Sequence, residues 1–308
     1  MTYRQCSRRF VGMGFVVLAA CSSDEASNAP SPSSSSTSTA SPPSTTSPTD
    51  ASLPPADGGG TTDAATTADA GGDAAVPKTC ANGNYLFCED FDALATGPAQ
   101  SPRWTNDVAS GSLTIDATKA HSGKALKVHT DGNGRALMRV SGIAPPGNSF
   151  FGRMYAFVTA FPSAPNYAHY TLVEAAGAGN STLIRPVGGQ YIMERGQKKM
   201  WGIGSDGGPT GDWTRWKESA VAEPQKWLCL EWQLDATDNT VRFWVDGVAK
   251  PEMTVSTKNH DGNQAQDFVF PKVDRIFFGW WLYQGGSTPA SFDTWLDDIA
   301  LSTTKLGC

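Results

Sequence analysis

The sequence predicts an all-β fold, an antiparallel two-sheet sandwich, preceded by a disordered linker. Three observations predict it. Short runs of alternating apolar and polar residues recur from residue 86 onward, separated by Gly, Asp and Asn turns. No convincing long amphipathic helix interrupts them. All ten Trp lie at or after Trp104, whereas Ser22 to Lys78 has none and is dominated by Ser, Thr, Ala, Pro, Gly and Asp. Such a segment buries too little apolar area to offset its ordering entropy. Residues 79–308 are then a normal size for one large sandwich. The net charge is −6 with no basic stripe, which argues against a nucleic-acid partner.

The elements follow in order. Leu86 to Asp92 reads as a first strand with Phe87, Glu89 and Phe91 on one face. Leu113 to Asp116 is a short strand. Ala120 to His129 is a turn feeding a strand, and Ala136 to Val140 is another, closed by Pro145-Pro146-Gly147. Phe151 to Phe157 puts Arg153 with Tyr155 and Phe157. Tyr167 to Ala175 puts Tyr167, His169 and Thr171 on one face and Tyr170, Leu172 and Glu174 on the other. Thr182 to Val187 and Gln190 to Glu194 read as a hairpin about Gly188-Gly189, and Gly204 to Gly211 as a polar loop. Trp227 to Leu234 and Thr240 to Val245 form a hairpin, with a turn at Asp246-Gly247. The closing pair is Arg275 to Gln284 and Thr294 to Ser302.

The N-terminus reads as a processing signal: Arg4, Arg8 and Arg9, then the short apolar run Phe10 to Ala20. Leu18-Ala19-Ala20-Cys21 resembles the signal of bacterial lipoproteins. That resemblance implies removal of residues 1–20 and lipidation of Cys21, which would hold the protein on a membrane by its acyl chains alone. Ser22, by resemblance to enterobacterial sorting, favours the outer membrane of the cell envelope and the cell surface. Residues 21–78 would then be a tether with a root-mean-square span of roughly 40 Å as a flexible coil. Cys80, Cys88, Cys229 and Cys308 remain, an even number in an exported chain, so two disulfides are expected. If the first and last strands are antiparallel neighbours, Cys80 and Cys308 share an end. Three connectivities are possible, and this proximity favours Cys80–Cys308 with Cys88–Cys229.

Four runs in order carry a resemblance: Phe87-Cys-Glu-Asp-Phe91, His121-Ser-Gly-Lys-Ala-Leu126, Val241-Arg-Phe-Trp-Val-Asp-Gly247 and Trp295-Leu-Asp-Asp-Ile299. Together they resemble the concanavalin A-like jelly roll of laminarinase-type glucanases, lectins and polysaccharide lyases. Within it the chain is similar to fungal glucuronan-lyase-like proteins induced on cellulose and to their bacterial lipoprotein relatives. The resemblance implies two curved sheets with a sugar-holding groove on the concave one. The paired-carboxylate Glu-x-Asp-x-x-Glu strand of retaining glucanases has no counterpart, which disfavours hydrolysis.

A uronate lyase instead needs groups that neutralise the substrate carboxylate, a base for the adjacent C–H, and an acid for the leaving oxygen. Phe277 to Gln284 is similar to the Tyr-Phe-Lys-x-Gly-x-Tyr-x-Gln strand of jelly-roll alginate lyases and lines Tyr283 up with the catalytic tyrosine. It departs at Gly279 and Trp281, and its Gln comes one residue early. His169, with Tyr167 two residues before it, stands for the Gln-x-His strand. The expected catalytic set is His169, Tyr283, Arg185 and Gln190, with Arg153, Tyr167, Trp281 and Gln284 binding substrate. A structural Ca²⁺ is expected from Glu89, Ser122, Lys124 and Asp298; hydrogen bonding of the carboxylates to backbone amides is the alternative. Expected partners are a uronate-containing polysaccharide and, through lipid only, the membrane; the domain is expected to be a monomer. The competing reading is a non-catalytic sugar-binding or adhesion module, in which Trp281, Tyr283, Trp201 or Trp213 stack on sugar faces. A surface domain that binds protein is a third.

Overall fold

The computed structural model describes residues 80–308 except 82, 164–166, 179–182, 193–197, 207–219, 258, 261–264, 266–268 and 285–288. The signal, Cys21, the tether and Trp213 therefore lie outside the described residues. Those described fall within one compact unit, Gly71–Cys308. Its strands are β1 (Phe87–Glu89), β2 (Gly97–Pro98), β3 (Thr105–Asp116), β4 (Ala125–Ser141), β5 (Phe150–Val158), β6 (Tyr167–Ala178), β7 (Leu183–Ile192), β8 (Lys198–Asp206), β9 (Trp227–Asp235), β10 (Thr240–Val245), β11 (Val248–Ala249), β12 (Lys272–Gln284) and β13 (Ser291–Ser302). Among the described residues the only helical elements are single 3₁₀ turns, and no helix is long and apolar enough to cross a membrane.

The hydrogen-bonded order is β11-β10-β9-β5-β13-β4-β12-β6-β7-β8, every pair antiparallel. Strand β4 is what folds this path into two layers. Its first half, Leu126 to Asp131, pairs with β13, and its second half, Arg135 to Ser141, pairs with β12. Strand β3 runs beside both halves. The sequence reading had two strands where this single long one runs, because Asp131-Gly-Asn-Gly134 resembles a turn. The layers face each other through aromatic contacts: Trp232 of β9 with Phe278 of β12, Trp201 of β8 with Phe243 of β10, and Trp280 of β12 with Phe292 of β13. The architecture is the expected all-β, two-layer antiparallel jelly roll.

Two expectations about β7 and β8 are corrected. Gly188-Gly189 is not a hairpin turn; β7 runs through both glycines, paired with β6 on one side and β8 on the other. Space explains it: a Cβ on Gly189 would lie 2.1 Å from the Tyr170 hydroxyl oxygen and 2.3 Å from the Met200 carbonyl. The glycine admits the buried Tyr170 ring rather than bending the chain. Residues 198–206, partly read as loop, form β8.

The disulfides are also corrected: they are Cys80–Cys88 and Cys229–Cys308. The premise held, since β1 and β13 are antiparallel neighbours with Cys88 opposite Ala300. Past Ser302, however, the chain crosses to β5 and β9 instead of returning toward Cys80. Buried Glu231 on β9 draws it there: its Oε1 accepts the N–H groups of Leu306 and Gly307 at 3.0 and 2.7 Å. The Tyr155 hydroxyl donates to the Cys308 carbonyl at 3.0 Å.

Replacing Glu231 by Ala leaves two N–H groups without their acceptor. Glu231→Ala is expected to lower unfolding stability by about 2–4 kcal/mol, read as a lower urea midpoint with both disulfides intact; an unchanged midpoint would refute the role given to this carboxylate.

Candidate functional site

The candidate site lies on the outer face of the β6, β7 and β12 layer, away from the core. Along β6, Ala168, Tyr170 and Leu172 join the core, which turns His169 and Thr171 outward. In β7 and β12, Ile184, Val187, Phe278, Trp280 and Leu282 are core residues, leaving Arg185, Gln190, Phe277 and Trp281 outward. Several outward polar side chains are nonetheless buried: Thr171, Glu174, Arg185 and Gln190. Buried polar groups must find partners: the Thr171 hydroxyl donates to the Val173 and Val187 carbonyls, Arg185 pairs with Glu174 and donates to the Ser205 carbonyl, and Gln190 meets His169.

His169 and Gln190 are opposite one another across β6 and β7, and His169 Nε2 lies 2.6 Å from Gln190 Oε1. With the amide oxygen as acceptor, the ring proton sits on Nε2 and Nδ1 is the basic nitrogen. On the other side of β6, Gln284 of β12 is opposite His169. A register shift between Leu282 and Gln284 makes Tyr283 the inserted residue of a bulge at this point. The backbone of Tyr283 therefore ends beside His169; the side chains of Tyr283, Gln284 and Tyr167 lie outside the described residues. Gly279 starts the irregular stretch with φ +155°, and a Cβ there would meet the Ala136 carbonyl at 2.1 Å. The departure from the lyase pattern at this position is thus a backbone requirement.

Arg185 is 4 % exposed, its Nε 3.6 Å from Glu174 Oε1, and it donates to the Ser205 carbonyl at 3.4 Å. Simple alternation puts Glu174 with Tyr170 and Leu172, opposite the face of His169. Register shifts on either side of Val173 break the two-residue alternation and return Glu174 to the face of His169. The expected carboxylate-neutralising Arg185 is therefore in a buried ion pair. Trp281 is half-buried with the Arg135 guanidinium 5.4 Å from its ring centroid. Two expected sugar contacts are displaced. Arg153 lies on β5 in the other layer, opposite Glu231, and donates to the Gly307 carbonyl under the C-terminal segment. Trp201 is a core residue, 1 % exposed. Missed by sequence reasoning were Glu174 and the Arg135–Arg139 pair of β4; the four-residue spacing of the two arginines, which puts both on one face of a strand, was the available signal.

The proposed Ca²⁺ ligands do not form a cage. Glu89 accepts Phe91 N–H and pairs with Arg103 at 3.1 Å. Asp298 is engaged by His121 at 2.9 Å and lies 3.5 Å from Ser122 Oγ. Lys124 extends its ammonium onto the carbonyls of Asp92 and Leu94 at 2.7 and 2.6 Å, so a monovalent cation belonging to the chain already occupies loop carbonyls. Among the described residues no group of three or more His, Cys, Asp or Glu could hold a metal. The buried carboxylate of this corner is instead Asp297, which accepts the N–H groups of His121 and Ser122 at 2.9 Å and of Asp298 at 2.8 Å. Burial pushes its pKa up to about 7 despite these bonds, with the Asp298 charge adding to the rise.

With this geometry in place, the class is a concanavalin A-like jelly roll with a polar outer face. The model of the polysaccharide lyase-like family, Cip1-like core domain, matches residues 90–304, and the chain belongs to that family. Membership supports a carbohydrate-related function. Among solved structures, the cellulose-induced protein Cip1 is 20 % identical, covering 72 % of this chain and 99 % of its own, with a TM-score of 0.49. The binding domain of botulinum neurotoxin DC in complex with rat synaptotagmin II is 12 % identical, covering 66 % of this chain and 44 % of its own, with a TM-score of 0.41. No curated protein matches the chain.

Asp297 carries a pH prediction. Its folded pKa is raised from 3.8 to about 7, so the folded state holds a proton the unfolded chain has released. This contribution is fully present below the unfolded value and is lost as pH rises through about 7. Asp297→Asn cannot titrate, so the melting-temperature gap between wild type and variant should change between about pH 4 and pH 7 and then level off. A gap constant across that window would exclude Asp297 as the titrating group.

Proposed function

We propose that this domain binds acidic polysaccharide and cleaves it by β-elimination, held at the bacterial cell surface by a lipid on Cys21. The observation that carries the reading is the His169–Gln190 pair, 2.6 Å apart on a polar outer face, with the Tyr283–Gln284 end of β12 in register beside it. Family membership supports the carbohydrate part.

In this chemistry, amide N–H groups of Gln190 and Gln284 hold the uronate carboxylate and disperse the charge that develops when the neighbouring C–H is deprotonated. His169 Nδ1 takes that proton. The electron pair forms the new carbon–carbon double bond as the glycosidic C–O bond breaks, and Tyr283 protonates the departing oxygen. A second reading, a non-catalytic binding module, is favoured by one observation: Glu174 already balances the charge of Arg185.

Incubation with glucuronan, alginate and pectate, followed by ultraviolet absorbance of unsaturated ends, separates the two. The lyase reading expects product that falls about 10²–10⁴-fold in His169→Ala and in Tyr283→Phe. Retention on immobilised polysaccharide with no product in any variant selects the binding module. Neither binding nor product would overturn both. For the anchor, Cys21→Ser is expected to move the protein from the detergent-rich to the aqueous phase on detergent partitioning; equal partitioning would rule out lipidation at this residue.

A further inference from the structure

The outer face does not stop at His169. Strand pairing continues it across β12 and β4 to β3 in two rows. One row runs Thr171, Trp281, Arg135, Ala109 and the next Glu174, Phe277, Arg139, Thr105. From β7 to β3 the face spans four inter-strand gaps, roughly 19 Å. Alternation is maintained on β4, where Ala136, Met138 and Val140 are core residues and Arg135 and Arg139 look outward. Phe277 is half-buried beside Arg139. Aromatic surface and cation thus occur together at the far end, the pairing that suits a sugar ring bearing a carboxylate.

The arginines of this face differ in how their charge is balanced. Arg135, Arg185 and Arg275 each have a carboxylate oxygen, at 2.8, 3.6 and 2.7 Å. Arg139 does not. It is exposed, and its Nε donates to the Ser141 hydroxyl at 3.2 Å, a contact that orients the guanidinium without neutralising it. Among the described residues no acidic group pairs with it. An oriented, exposed guanidinium lacking an acid partner suits bidentate recognition of a carboxylate.

We infer that Arg139, with Phe277 beside it, is a remote subsite that reads a uronate carboxylate several rings away from the His169–Gln190 centre. From strand and residue spacings the two points are roughly 19 Å apart. The chain would therefore lie obliquely across β6, β12 and β4, and short oligomers centred on His169 would not reach Arg139. The inference rests on the polysaccharide reading above and adds a substrate: long, acidic chains over short or neutral ones.

Calorimetric titration with glucuronan oligosaccharides of increasing length, and with neutral cello-oligosaccharides, tests it. Wild type is expected to bind long glucuronan oligomers about tenfold more tightly than short ones. Arg139→Gln should remove that gain, leave short-oligomer affinity unchanged and leave neutral oligomers unaffected, while Arg139→Lys keeps part of the gain. A length-dependent gain that survives in Arg139→Gln overturns the subsite and leaves the polysaccharide reading intact. Wild-type binding that is equal at all lengths does the same. No wild-type binding of glucuronan at any length overturns both.

Discussion

Trp280 lies between Tyr170 and Phe292, stacked on each with ring centroids 5.0 and 5.2 Å away. This one contact joins β12 to its neighbour β6 and to β13 of the opposite layer. It also fixes which residues of β12 point inward, because strand alternation admits only two choices and a one-residue slip would reverse every side chain. With Trp280 inside, Trp281 and Phe277 must be outside. The outward surface is therefore a consequence of how the aromatic core packs. Tyr170 is accommodated only because Gly189 leaves room for its hydroxyl, which donates to the Met200 carbonyl at 3.1 Å.

Bulges then modify what alternation would give. The irregular pairing about Val173 returns Glu174 to the outer face, and the left-handed Gly279 lets β12 continue past Ala136 with altered register toward Tyr283. A bulge re-aims side chains locally while the surrounding ladder stays intact. Here one irregularity brings the Tyr283 backbone beside His169, and the other brings Glu174 to the same face farther along β6. The ion pair of Glu174 with Arg185 adds a rigid, charge-balanced floor rather than a free cation. Free positive charge sits instead two strands away, at Arg139.

Buried carboxylates elsewhere serve the backbone. Glu231 gathers the C-terminal segment and Asp297 pins the turn at His121 and Ser122, each by accepting backbone N–H groups. Lys124 supplies a cation to loop carbonyls in the same corner. Each contact satisfies a group whose burial would otherwise be costly. Together they tie the first strand, the long turn before β4 and the end of the chain to the two layers.

Composition and local pattern were enough for the all-β class, the family and most strand positions, because two-residue alternation and turn residues are local properties. It also named His169, Gln190 and Trp281 as candidate site residues. The disulfide pairing came from the folded chain alone, since Cys308 goes where Glu231 leads it and no local pattern encodes that path. The same holds for Gly188-Gly189, which looks like a turn in one dimension but makes space for a ring in three. It holds for Arg153 and Arg185, whose partners come from the C-terminal segment and from the flanking strands β6 and β8. A charge in a sequence is only a charge; whether it is balanced, covered or free depends on what the folded chain brings beside it.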